Sequence, residues 1–412
     1  MLSTLLLPLV SAQAERVRPP KLTVLHHFKA AKDGGQPSAA LTPDGAGGFY
    51  TTAEFGGPQD LGVAIRLTPP DTLPGKWSLK LLHGFTGAPD GSVPDTTLIA
   101  APDGTLFGTT FVGGAADNGS VFSLTPPVAP ATRWKFKILH SFTSAGEGER
   151  LQGQLLLTDD GSLLGTAYQG GSSNSGTVYM LTPPVTGSVW TFTLLHAFDG
   201  ILGGGFPLAG LTLGSNGVYY GTTSRGGAND RGTVYSLTPP TPPAVRWKYK
   251  VLYSFELGNV PATGGVPMGD LLIDTAGVLY GTTSQGGGGG RGTVFSLGLE
   301  GHPKAWQYHL LHSFATVAGD GDTPEAGLIA DAAGALYGTT TLGGDSNHGT
   351  IFKLTPPVPL TDPWIPAVLH SFNGTDGATP AGSLVMDDAG LFYGTASAGG
   401  KFSKGTVFSF RP

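Results

Sequence analysis

Leu336-Tyr337-Gly338-Thr339-Thr340, then Gly343-Gly344, then Gly349-Thr350-Ile351-Phe352-Lys353-Leu354-Thr355-Pro356-Pro357 is a line of sequence that recurs along the chain. Anchored on the Gly of Tyr-Gly-Thr-Thr, the copies sit at Thr51, Gly108, Gly165, Gly221, Gly281, Gly338 and Gly394. Successive anchors are 57, 57, 56, 60, 57 and 56 residues apart. A fixed period of this length marks a repeat architecture, in which each unit buries its apolar face against the next. Residues 22–412 are therefore expected to form a single domain.

Each unit reads as four short strands. A Leu ten residues before the anchor opens the first, as in Leu271-Leu272-Ile273, and Leu279-Tyr280-Gly281-Thr282-Thr283 is the second. A Gly-Gly loop leads to the third, Thr293 to Leu297, and a Pro-rich connection to the fourth, Trp306 to Phe314. Alternation in that last run predicts Trp306, Tyr308, Leu310, His312 and Phe314 on one face. Seven four-stranded units predict an all-β fold, a seven-bladed β-propeller. The two ends support it. Residues 22–28 match only a fourth strand, while the last unit stops after its third, Thr406 to Phe410. Pairing these two segments closes the ring and removes an exposed sheet edge.

Composition agrees once the period is seen. Of 412 residues, 67 are Gly and 33 Pro, a content that without a period would suggest disorder. The net charge of −6 argues against a nucleic-acid partner. Cysteine is absent, which excludes disulfides, thiolate metal sites and cysteine nucleophiles. Residues 1–14 read as a signal peptide, with the apolar run Leu5 to Val10 before Ala12-Gln13-Ala14, although no basic residue precedes the run. No later apolar stretch approaches the ~20 residues of a membrane span. A secreted or periplasmic protein is expected, with no cofactor and no metal.

The wording of the unit, Tyr-Gly-Thr-Thr, Gly-Gly, then Gly-Thr-Val-Phe, resembles the GloVer tandem-repeat proteins, an exported bacterial family with varied C-terminal surface anchors. The resemblance covers residues 22–412 and implies export and a propeller-like repeat, with no catalytic residues to carry over. The chain given ends at Arg411-Pro412 without a sorting segment, so free secretion is expected rather than surface attachment.

Recurrence also sorts structural residues from functional ones, because a catalytic group is needed once and a folding group in every blade. Trp77, Trp134, Trp190, Trp247, Trp306 and Trp364 share one position and read as packing between blades. His26, His83, His140, His196, His312 and His370 share another, with Tyr253 in the remaining unit, and read as structural hydrogen-bonding rings.

Two sets remain as candidate ligand contacts. Asp33, Asp90, Glu147, Asp320 and Asp376 hold one turn position, with Gly203 and Thr263 in the other units. They would form either an acidic ring at the mouth or carboxylates capping local N–H groups. The last side chain of the second-to-third loop runs Leu61, Asn118, Ser175, Arg231, Arg291, His348, Lys404. With Arg225 this predicts a cationic arc on blades four to seven, suited to an acidic sugar or a peptide carboxylate, with solvated loop charges as the alternative. No metalloprotease, serine-hydrolase or sialidase motif is present. The leading expectation is a non-catalytic propeller binding a glycan or an extracellular protein on its loop face. An enzyme acting on acidic polysaccharide through His348 and Arg291 is the alternative, and a self-associating architectural protein is a third.

Overall fold

The computed structural model describes residues 20–30, 33–72, 75–256, 263–301, 305–358 and 363–412. The expected signal peptide at 1–14 lies outside them. Seven four-stranded antiparallel sheets follow one another in the chain, each meandering from the axis outwards. In blade 5 the strands are Leu272–Ile273, Leu279–Thr283, Thr293–Glu300 and Ala305–Ser313. Blade 7 takes Val385–Met386, Phe392–Ala396 and Thr406–Arg411 from the C-terminal end and Lys21–His27 from the N-terminal end. Leu22 pairs with Phe410 and Val24 with Phe408, so the ring closes as the sequence implies.

The anchor glycine has a steric cause. It lies opposite the aromatic residue of the third strand: Gly108 across from Phe122, Gly165 from Tyr179, Gly281 from Phe295. A Cβ on Gly281 would stand 2.7 Å from the Phe295 ring, which lies over the bare backbone. Blade 1 carries Thr51 instead, and there the facing residue is Ile65. The exception therefore keeps the rule: ring and side chain cannot share that spot.

In four blades the Thr after the anchor ties its blade to the next near the axis. Thr52 Oγ1 donates to Thr96 O of the next blade at 3.1 Å, Thr166 to Ala209 O at 2.9 Å and Thr282 to Ala326 O at 2.9 Å. Thr395 Oγ1 donates to Ala39 O at 2.8 Å, a bond between residues 356 apart in sequence that joins blade 7 to blade 1. Further out, Phe28, Phe85, Phe142, Phe198, Phe255, Phe314 and Phe372 are fully buried, each contributing roughly 1.5–3 kcal/mol by leaving water.

The fourth strand departs from its expected alternation. Every copy carries a β-bulge, in blade 5 at Leu311, so that Leu310 pairs with Phe295 but His312 with Val294. An extra residue on one strand shifts the period and re-aims the side chains beyond it. Before the bulge, side chains face the preceding blade: Trp134 packs on Tyr50 at 5.7 Å and Trp306 on Tyr220 at 6.0 Å. After it they face the next blade, as His140 does towards Phe192 and Phe142 towards Tyr179. Trp306, Tyr308 and Leu310 thus do not share a face with His312 and Phe314. One strand serves two boundaries.

Candidate functional site

The fourth-to-first and second-to-third loops meet on one end of the propeller, and a backbone stitch holds them. Gln36, Val93, Arg150, Phe206, Val266, Thr323 and Thr379 all have φ between 54° and 58°. Left-handed backbone strains a β-branched residue by about 1–3 kcal/mol. Each is fixed by two hydrogen bonds. The Val266 N–H donates to Arg231 O of the preceding blade at 2.9 Å, and Val266 O accepts from Ser284 N at 3.1 Å. The same pair of bonds recurs at Thr323 with Arg291 O and Thr341 N, and at Thr379 with His348 O and Ser397 N.

The stitch explains the varied arc. Leu61, Asn118, Ser175, Arg231, Arg291, His348 and Lys404 are gripped by their carbonyls, so the stitch itself does not dictate their side chains. Arg225, Arg291 and Lys404 are exposed, while Arg231 and His348 are half-buried. Arg231, Arg291, His348 and Lys404 occupy successive blade boundaries rather than one focus. Arg225 has Asp230 3.9 Å away and Arg291 has Asp322 at 3.3 Å, partners that trim the local positive charge.

The acid-turn residues are placed against the recurring histidines. His26 lies 3.1 Å from Asp33, His83 2.9 Å from Asp90, His140 3.5 Å from Glu147, His312 3.3 Å from Asp320 and His370 3.0 Å from Asp376. Several carboxylates also accept loop N–H groups, as Asp90 does from Thr86 N at 2.9 Å. Burial pulls His26, His83 and His140 below the usual imidazole range, opposed by the carboxylates beside them. Burial alone would raise Asp376, but the His370 hydrogen bond and the Asn373 N–H hold it below its ordinary range. Where the acid is missing a tyrosine substitutes: Tyr249 donates to Gly203 O and Tyr308 to Thr263 O.

The axial channel gathers a set that the reading of the sequence passed over. It is a space of about 100 Å³ lined by residues just before each first strand, among them Ser38, Asp95, Gln152, Gln154, Asp270, Glu325 and Ser383. Burial, helped by the charge of Glu54, pushes Asp95 up to about 7, and its Oδ1 is covered without a hydrogen-bond partner among the described residues. Burial also raises Glu54, with the Ser38 hydroxyl opposing, and raises Glu325. Asp270 is raised by burial as well, although Gly210 N donates to it at 2.6 Å. Nearby, Arg150 stacks over Phe111 at 5.2 Å, and Tyr168 packs on Phe206 at 5.4 Å. Among the described residues no cluster of three or more His, Asp or Glu is arranged to hold a metal ion, and no helix is long and apolar enough to cross a membrane.

A model of the Gloeobacter/Verrucomicrobia repeat matches residues 16–216, 74–295 and 209–412. The chain belongs to this repeat family. No curated protein matches it significantly. Solved structures that match include a luciferin-regenerating enzyme, 12% identical with a TM-score of 0.44 over 76% of this chain and 90% of that one. Another is a putative oxidoreductase (glucose dehydrogenase) from Thermus thermophilus, 13% identical with a TM-score of 0.44 over 95% of this chain and 100% of that one.

Within this Gloeobacter/Verrucomicrobia repeat protein the missed carboxylates had a readable signal. Around the first-strand Leu, the positions three and one before it run Ser38/Ala40, Asp95/Thr97, Gln152/Gln154, Leu208/Gly210, Met268/Asp270, Glu325/Gly327 and Ala381/Ser383. Between them stands an invariably small residue. Two varied positions flanking a fixed one, at the axis, mark where the repeat is free to carry something specific.

Proposed function

We propose that this protein is an exported, non-catalytic propeller that binds a glycan across the loop face, over the mouth of the axial channel. The observation that carries the proposal is where the repeat breaks its own rules. Residues that differ from blade to blade gather at this mouth: Asp95, Gln152, Gln154, Asp270 and Glu325, with Glu54 beside them. Carboxylates and amides supply acceptors and donors for hydroxyl groups. Phe111, Tyr168 and Phe206 on blades 2 to 4 add half-buried aromatic surface of the kind that takes a sugar's C–H face. Arg225, Arg231, Arg291 and Lys404 on the other side favour an acidic substituent on the same ligand.

Glycan-array profiling of the mature protein tests this. A ligand is expected whose binding falls at least about tenfold, one 1.4 kcal/mol step, in an Asp95→Asn/Asp270→Asn variant. Arg231→Ala/Arg291→Ala should weaken acidic glycans selectively. An array with no hit, or hits indifferent to both variants, refutes the proposal and leaves an extracellular protein partner as the alternative. A second reading, an enzyme acting on acidic polysaccharide, draws support from one observation: Asp95 and Glu54 are adjacent carboxylates with raised affinity for protons, the situation of a general acid. It predicts new reducing ends or unsaturated products when array hits are incubated with the protein, lost in Asp95→Asn.

A further inference from the structure

At four blade boundaries the outer strand of the later blade supplies a ring that lies flat on the ring at the His position of the earlier one. Phe136 covers His83 with centroids 3.9 Å apart and planes 4° apart, and Phe192 covers His140 at 5.0 Å and 17°. Tyr249 covers His196 at 3.9 Å and 6°, and Tyr308 covers Tyr253 at 4.7 Å and 12°. The covering residue stands two after the Trp in each case. Between blades 5 and 6 that residue is Pro366, which is exposed where its equivalents are half-buried.

A cavity of about 530 Å³ opens at that boundary, lined by His312, Asp320, Val317, Phe352, Trp364 and Pro366 among others. The side chains of His312 and Asp320 are only 10% and 7% exposed. Their facing atoms, Nε2 and Oδ2, are 3.3 Å apart without hydrogen-bond geometry, and neither has another partner among the described residues. The loop from Phe314 to Asp320 is one residue longer than the commonest form, so two local departures coincide here. Boundaries 6/7 and 7/1 also lack the covering ring; Leu22 and Leu79 stand half-buried in its place, and a cavity of about 650 Å³ opens beside His26 at 7/1, where the His26 ring nitrogen is already taken by Asp33 at 3.1 Å.

We propose that this cavity is a site for a small molecule carrying a planar aromatic ring, which stacks on His312 where other blades place their own ring. The observed volume is that of a small-molecule pocket. The framework is shaped for a flat ring, since the same His position receives one at four boundaries. A phenolic or indole donor on the ligand would turn towards Asp320, because Tyr249 and Tyr308 aim their hydroxyls at the same turn position in blades without the acid. The site lies at the rim between two blades, independent of the channel mouth.

The experiment titrates the mature protein with p-cresol and indole, with cyclohexanol as a non-aromatic control of similar size. Imidazole NMR signals and Trp364 fluorescence are the readouts. Aromatic probes should shift the His312 ring protons upfield in a saturable way, binding about three- to tenfold more tightly than cyclohexanol, the worth of one stacking contact. Pro366→Phe restores the pattern of the other blades; it should fold, abolish the shift and raise the Tm. His312→Ala should weaken binding similarly while leaving glycan recognition intact. No saturable shift up to about 10 mM probe, equal binding of cyclohexanol, or unchanged binding in Pro366→Phe overturns the proposal. Binding confined to aromatic-bearing peptides would overturn it in favour of a protein-docking site.

Discussion

Replacing Asp95 with asparagine should remove a loss of stability that the natural protein suffers as pH rises. Asp95 is held mostly as the neutral acid by burial at the channel mouth and by the charge of Glu54, taking its pKa from the ordinary 3.8 to about 7. A raised carboxyl means that the native state binds more protons than the unfolded chain between those two values. Stability is therefore fully present below about pH 4 and declines as pH rises to about 7. At about 1.4 kcal/mol per unit over roughly three units, the loss is on the order of 4 kcal/mol. With about 2.1 cal/mol/K of unfolding entropy per residue, a chain of this length converts it to roughly 5 °C of Tm. The amide of an Asp95→Asn variant would keep the shape and the contact with Gln152 but carry no charge. Thermal unfolding followed by circular dichroism at pH 4 and pH 8, backed by urea titration, is the assay. The variant should equal or slightly trail the natural protein at pH 4 and exceed it by about 5 °C at pH 8. The histidines titrate alike in both proteins and cancel in the difference. A difference independent of pH, or an Asp95→Asn variant less stable at pH 8, would refute the reasoning.

Other perturbations have equally definite outcomes. Burial lowers the pKa of His196 to about 4, with Asp199 opposing weakly. Its contribution is present above pH 6.5 and is lost as pH falls towards 4, so His196→Phe, which keeps the stack on Tyr249, should blunt acid destabilisation by about 3 kcal/mol between pH 7 and pH 4.5 in urea titrations. Gly281→Ala should cost about 1–3 kcal/mol of unfolding free energy through overlap with Phe295. In blade 1, Ile65→Phe should be tolerated only together with Thr51→Gly, which a double-mutant cycle would register as coupling. Thr395→Val, which deletes the bond closing blade 7 onto blade 1, should lower stability by about 1 kcal/mol and raise hydrogen exchange at Ala39 and Ala40.

Most of the framework could be read from the chain because each folding device is written seven times. Anchor spacing, the four-strand meander and ring closure all rest on recurrence, and the Trp and His rings lie at the blade boundaries the repeat implied. The bulge could not be read that way. In Leu310-Leu311-His312 the extra residue is itself apolar, so nothing in the period betrays where alternation restarts. The channel carboxylates escaped for the opposite reason. Recurrence favours what repeats, whereas Asp95, Asp270 and Glu325 each occur in a single blade, so their joint facing of the axis emerges only once the ring is closed. Between these lie Asp90 and its equivalents. Their N–H capping was legible as a turn, but the histidine six to eight residues upstream becomes their partner only when the bulge aims it there.

That bulge has a consequence for growth of the ring. Because the fourth strand presents one set of side chains backwards and His or Tyr and Phe forwards, every blade carries half of the joint behind it and half of the joint ahead, although the plug is a Trp followed by a ring in only four of them. A duplicated blade would find a matching neighbour on either side without further change, so the joint does not dictate how many blades there are. The number must be fixed elsewhere, by the wedge angle at the crowded axis, where the small residues and the Thr hydroxyls leave little latitude. An altered plug, such as Pro366, is then a local event, and the ring can tolerate it without losing count.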